Sequence, residues 1–190
     1  RVPHPAAAAA VLLLEALRHL QPVSLSVAAV EPVSAFGSTA VEVLAKQAAR
    51  RLQGGEAEES IGGRTLAFNV VTLDSSDLAL ELATMLPELA VTATRAVLGV
   101  FHGHLVHLTI RFAQPCQLDE VEKAWRGMRD VALAEQVTLN DVTERDRVFV
   151  TRPQLSRDRL TLAATATVDG LRIGGAVTAV RLLAALLTRR

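Results

Sequence analysis

Three of the chain's five histidines fall within six residues, in the stretch Phe101-His102-Gly103-His104-Leu105-Val106-His107-Leu108-Thr109-Ile110. Imidazole titrates closest to neutrality of all side chains, so a histidine at the head of a buried strand is a natural acid/base group. A metal site is the other chemistry the stretch invites. Side chains alternate faces along a strand, so His102 and His104 share one face and His107 takes the other. Two imidazoles with no Cys, Asp or Glu at a fixed offset do not complete a tetrahedral set, and no metal is expected. A single functional histidine, with the others structural, fits better. Cys116, the one thiol of the chain, stands between Pro115 and a helix start. No base lies at a recognisable offset from it, so it reads as a small structural residue. Gly62-Gly63-Arg64 lacks the strand before and helix after it that a phosphate cradle needs, and reads as a connector.

These groups sit in a chain of 190 residues, enough for one domain with a proper core. Half of the residues are apolar, and 20 basic residues balance 20 acidic ones with no basic block. A nucleic-acid surface would need clustered Lys and Arg, and a base-stacking platform would need aromatics; Tyr is absent and aromatics make up 3%. The apolar run Ala6 to Leu14 is too short to span a membrane and leads straight into Glu15, Arg18 and His19. One cysteine excludes an internal disulfide, and the expected compartment is the cytoplasm.

The positioning elements follow from periodicity. Ala6–Leu20 reads as a helix, stopped by Gln21-Pro22, and Val23–Val30 as an alternating strand. Glu31–Gly37 is a loop. Thr39-Ala40-Val41-Glu42 reads as a capping box for a helix with Val41, Leu44, Ala45, Ala48 and Leu52 on one face, ended by Gly54-Gly55. An acidic, glycine-rich loop runs on to Gly63. Thr65–Leu73 is apolar and β-branched, interrupted by Asn69. Ser75 or Ser76 caps a helix whose Leu78, Leu82, Met85 and Leu86 share a face, closed by Pro87. Ala90–Leu98 and His104–Phe112 are the clearest strands, and the few residues between them predict an antiparallel pair. A helix over Leu118–Met128 turns Val121, Ala124 and Trp125 inward. Val137–Val142 and Arg147–Thr151 are short strand candidates, and Arg159–Val168 alternates well. Asp169–Gly175 is a glycine-bearing turn before a terminal helix with Val177, Val180, Leu183 and Leu186 as its buried stripe and Arg189-Arg190 at its end. The architecture expected is α+β: a mostly antiparallel mixed sheet covered by helices. The apolar strands around the histidines imply that the sheet's other face also meets a partner, a second subunit.

Three separated segments resemble one family. Glu31-Pro32-Val33-Ser34-Ala35-Phe36-Gly37 is similar to the Q-A-V-S-G-A-G loop of aspartate-semialdehyde dehydrogenases. Ala93–His104 is similar to their A-T-x-V-R-V-P-V-x-x-G-H stretch, and Asp169–Ala176 to their D-N-L-R-K-G-A-A turn. Phe68-Asn69 agrees between them. The resemblance covers essentially the whole chain. It implies a glyceraldehyde-3-phosphate dehydrogenase-like C-terminal domain over residues 1–190, forming a homodimer through the sheet, with a nucleotide-binding N-terminal domain lying outside this chain. NADP is then possible only with that N-terminal domain, and no cofactor is expected for this chain alone.

The resemblance also implies site residues. Family chemistry is reductive dephosphorylation of an acyl phosphate through a cysteine thioester, with a histidine as acid/base and an arginine gripping the substrate carboxylate. His104 holds the inherited acid/base position. Glu31 and Arg172 fall at substrate-binding positions, and Ser34, Gly37 and Gly174 at cofactor-side positions. The departures are equally specific. His4-Pro5-Ala6-Ala7-Ala8-Ala9-Ala10 matches the N-P-N-C-[ST]-T segment, so alanine stands wherever the thiol would fall. Val97 replaces the arginine, Glu31 the glutamine, Gly170 the asparagine and Ile173 the lysine. Loss of a nucleophile alone removes several orders of magnitude in rate. The chain therefore resembles the non-catalytic Usg-type paralogues, a catalytically silent protein with a structural or ligand-binding role. The alternative is an active NADP-dependent oxidoreductase of amino-acid biosynthesis with a divergent site.

Overall fold

A computed structural model describes residues 2–56 and 60–188. At its centre is a seven-stranded sheet of order β2-β3-β1-β4-β7-β6-β5. The strands are β1 (Pro22–Glu31), β2 (Val70–Leu73), β3 (Ala90–Leu98), β4 (His104–Phe112), β5 (Val131–Ala134), β6 (Val148–Leu155) and β7 (Thr161–Val168). The helices are α1 (Pro5–Glu15), α2 (Ser38–Leu52), α3 (Ser76–Met85), α4 (Leu118–Arg126) and α5 (Val177–Thr188). β1–β3 and β5–β6 are parallel and the other four pairings antiparallel, which is the α+β mixed sheet expected. The part of the acidic loop at 57–59 and Arg189-Arg190 lie outside the described residues.

β3 and β4 do run in opposite directions, but they do not pair. β1 lies between them, parallel to β3 and antiparallel to β4. The connection Gly99–Gly103 crosses the end of β1 instead of closing a hairpin. It is tied to the chain leaving β1, where Val33 N donates to Val100 O at 2.9 Å and Ser34 N to Phe101 O at 3.1 Å.

One face of the sheet carries the core. Leu25, Val27 and Ala29 of β1, Val106, Leu108 and Ile110 of β4, and Leu162, Ala164 and Ala166 of β7 meet α1, α3 and α4 in a single cluster. Fully buried Trp125 anchors α4, its Nε1 donating to Leu13 O at 3.0 Å. The alanines at the start of α1 suit this position, since small side chains let its backbone lie close to the sheet. A second cluster of Val33, Ala40, Leu44, Leu66, Ala67 and Val97 holds α2 at the β3 end. Here buried Gln47 accepts from the backbone of Leu66 and Ala67 at 2.9 and 3.1 Å.

The opposite face is open. Thr94, Ala28, His107, Thr165 and Thr151 stand in one row across β3-β1-β4-β7-β6. Hydroxyl contacts cross between strands: Ser26 Oγ to Thr92 Oγ1 at 2.8 Å, His107 Nδ1 to Thr165 Oγ1 at 3.0 Å, and Thr151 Oγ1 donating to Thr165 O at 3.5 Å.

Several elements differ from the sequence expectation. α1 stops at Glu15, and a 3-10 turn over Arg18–Leu20 follows, closed by Gln21 at φ 53°. α2 starts at Ser38 after Gly37 at φ 97°, so Thr39 lies inside the helix and caps nothing. Its inner face is Ala40, Leu44 and Gln47, and Leu52 is exposed. Asp74, not Ser75, serves the start of α3, its Oδ1 accepting from Ser76 N at 2.9 Å. Residues 65–69 are a turn with Phe68 at φ 59°, leaving only Val70–Leu73 as strand. Val137–Val142 is no strand; Asp141 Oδ2 accepts from Thr138 N at 2.7 Å and folds it into a turn. β5 comes before that segment, and Arg147–Thr151 falls in β6 with Arg147 just ahead of it. The stripe of α5 is the largest departure: Val180, Leu183 and Leu186 are 67, 58 and 66% exposed. Periodicity shows that a helix has an apolar face, not that the same chain covers it.

Candidate functional site

The site lies where the C-terminal end of β1, the start of β4 and the end of β7 meet the N-terminus of α1. The pleat turns Glu31 and His104 to the helix-covered side, with Leu25 and Val106. His104 is 4% exposed, and neither ring nitrogen has a hydrogen-bond partner among the described residues. Burial, together with the nearby His4 ring, pushes its pKa down to about 4, against the pull of Glu31 and Asp169. At neutral pH the imidazole is uncharged.

His4 supplies the other wall. Its ring meets that of His104 edge-on, with centroids 6.1 Å apart. It also caps α1: its Nδ1 accepts from Ala6 N at 3.1 Å, and Pro5 takes the first helical position. An accepting Nδ1 places the proton on Nε2, which points at Glu31 Oε1 3.2 Å away. Behind it, Ala6, Ala7, Ala9 and Ala10 are buried.

Glu31 is itself fully engaged. Arg95 Nε donates to Oε1 at 2.5 Å and Nη2 to Oε2 at 3.0 Å, while the same guanidinium reaches Asp74 O at 3.2 Å. Burial raises the Glu31 pKa, but the hydrogen bonds from His4 and Arg95 outweigh it and hold the carboxylate at about 2. The Arg95 guanidinium is stabilised in turn and stays charged. Arg95 is two residues from Val97 on β3 and so shares its face. Sequence reading missed both Arg95 and His4. The signal was present: an acid at a buried strand end needs a base, and Arg95 has the right parity.

The glycine turn after β7 closes the pocket. A Cβ on Gly170 would lie 2.2 Å from the His104 ring, so the imidazole occupies the space a side chain there would take. Gly174 has φ +78°, and a Cβ on it would meet Pro5 Cα at 2.5 Å, which locks the turn against the start of α1. Asp169 ties the turn to the loop between β5 and β6, accepting from Leu171 N at 2.9 Å and Glu144 N at 2.8 Å.

The remaining sequence candidates are dispersed. Arg172 points outward and pairs with Asp146, whose pKa that contact lowers. Ser34 and Gly37 lie in the loop after β1, Ser34 half-buried and Gly37 exposed. His102 and His107 are exposed, His107 on the open face of the sheet. Cys116 is buried in the loop after β4, its thiol pushed up by burial and by Glu120. Among the described residues no group of three His, Cys, Asp or Glu side chains is placed to hold a metal, and no helix is long and apolar enough to cross a membrane.

The profile of the family described as semialdehyde dehydrogenase, dimerisation domain, matches residues 14–175. The chain belongs to this family. This semialdehyde dehydrogenase dimerisation domain is 28% identical over 180 residues to an aspartate-semialdehyde dehydrogenase of Prochlorococcus marinus, covering 84% of this chain and 52% of that protein. It thus spans about half the length of the curated relative. A probable aspartate-semialdehyde dehydrogenase from Pseudomonas aeruginosa superposes with TM-score 0.88 at 24% identity, over 99% of this chain and 62% of that one. Aspartate semialdehyde dehydrogenase II from Vibrio cholerae gives 0.90 at 21% identity, over 98 and 61%. At such identities these two structures establish that the dimerisation domain has their fold.

Proposed function

We propose that this chain is the dimer-forming half of a two-domain semialdehyde dehydrogenase relative that no longer catalyses the family reaction, as in the Usg-type paralogues. One observation carries the reading. The inherited acid/base, His104, opens β4, and the single thiol, Cys116, lies in the loop beyond the strand's other end. Nine residues of strand separate their ends by about 25 Å or more. Thioester chemistry needs thiol and imidazole within hydrogen-bond reach. In the segment aligned with the family's cysteine, alanines fill the site beside His4.

The carboxylate clamp is altered in the same sense. Val97 stands at the family's arginine position, and the nearest replacement on that face, Arg95, is spent on Glu31. A substrate carboxylate entering here meets an acid, not a free guanidinium. Residues 1–190 then form one unit, and the exposed stripe of α5 is the seat of the nucleotide-binding half. A cavity of about 750 Å³ between α1, α3 and α5, lined by Leu12, Leu80, Met85 and Leu182, continues that seat. NADP binding belongs to that other half, and the open sheet face pairs two copies.

The test is a turnover assay on the full-length protein with aspartate semialdehyde, NADP and phosphate. The expected result is no NADPH formation above background. Turnover at the level of active relatives, abolished by His104→Ala, would overturn the reading.

A further inference from the structure

The open face of the sheet has one titratable group at its centre, and among the described strand positions of that face none carries a carboxylate to neutralise it. His107 is exposed in the middle strand, bonded through Nδ1 to Thr165 Oγ1 at 3.0 Å. Its neighbours across the strands are Ala28 on β1 and Thr165 on β7, and beyond them Thr94 on β3 and Thr151 on β6. Along β4 itself Leu105 and Thr109 flank it. None of these titrates. On β1, β3, β4, β6 and β7 no position of the open face carries a carboxylate, and Arg111 is the one fixed charge in register there. Arg152, in the β6 bulge, donates to Glu135 O at the sheet edge. Asp158, beside Arg111, belongs to the β6–β7 turn and is held by Ser156.

We propose that self-association of this chain through the open sheet face is switched off by protonation of His107. The inference rests on the reading of that face as the dimer surface. A two-fold interface presents the same patch from both sides. Whatever covers His107 therefore comes from the same set of hydroxyl, small apolar and basic side chains, or is the second His107. Covering the neutral ring leaves Nε2 alone to find a partner across the interface, because Thr165 already engages Nδ1. Covering the imidazolium removes it from water with no acid to pair with and with like charges as its only charged company. The dimer thus favours the neutral ring, and association weakens as pH falls. With two such rings per dimer, lowering pH from ~8 to ~5.5 raises Kd by about 100-fold.

Sedimentation equilibrium at these two pH values on the parent and on His107→Gln and His107→Asn tests this, with Trp125 fluorescence reporting that each remains folded. The expected result is a dimer at the higher pH, the rise in Kd in the parent, and a Kd that changes by less than about 3-fold in both variants. A parent dimer indifferent to pH would overturn the switch and leave the dimer reading intact. An equal pH dependence in the variants would overturn the assignment to His107. A parent that is monomeric at both pH values would overturn the dimer reading and the switch with it.

Discussion

Arg95 and Glu31 form a two-point ion pair on the buried side of the sheet, one pleat repeat from Val97. The Glu31 carboxylate is thereby neutralised from within the same sheet. Removing Arg95 leaves the buried Glu31 carboxylate with His4 as its remaining partner, which is more costly than the intact pair is stabilising. Arg95→Met is expected to destabilise the fold by about 3 kcal/mol in urea unfolding followed by Trp125 fluorescence. Adding Glu31→Gln to that variant is expected to recover part of the loss. Strict additivity of the two single changes would show that the residues are not coupled.

His104 and Glu31 make stability depend on pH in two windows. The folded state holds His104 at about 4, below the ordinary value of 6.5, so the unfolded chain takes up the proton first and stability is lost as pH falls between them. Glu31, held at about 2 against 4.5, adds a second loss below that range. His104→Leu removes an imidazole with two unpartnered nitrogens. Its unfolding free energy is expected to match the parent at pH ~8 and exceed it by about 2 kcal/mol near pH ~5. A parent-like pH slope in the variant would place the dependence elsewhere.

Gly170 is required by the His104 ring, not by backbone conformation. Gly170→Ala is expected to lower Tm by about 4–10 °C, since the added methyl meets the imidazole and a loss of about 2–3 kcal/mol shifts a domain of this size that far. His104→Ala in the same chain should restore most of it. Failure of that rescue would mean that something other than the ring fills the space.

The fold was largely legible because apolar periodicity reports which elements exist. Ala90–Leu98 and His104–Phe112 match β3 and β4 residue for residue. What periodicity does not report is partnership. β1 pairs between those strands through backbone ladders to both, which no side-chain pattern signals. The site was legible only as separate motifs. The structure places His104, Glu31 and Gly174 at one end of the sheet, but Arg95 and His4, which set the electrostatics, act across the fold and match no local motif. Arg172, placed on the substrate side by resemblance, turns outward to Asp146.

The exposed stripe of α5 is expected to be dispensable for this unit alone. Leu183→Ser with Leu186→Ser should leave unfolding within about 0.5 kcal/mol of the parent and reduce light scattering on heating. A loss of several kcal/mol would show that α5 packs on its own domain after all.

The most direct test of the central claim is whether any group in the chain forms the thioester. Incubating full-length protein with aspartate semialdehyde and NADP, without phosphate, would let an acyl adduct accumulate on a competent thiol as the hydride passes to NADP. Intact-protein mass spectrometry is expected to return the unmodified mass. An acyl adduct that maps to Cys116, formed with one equivalent of NADPH, would contradict the account.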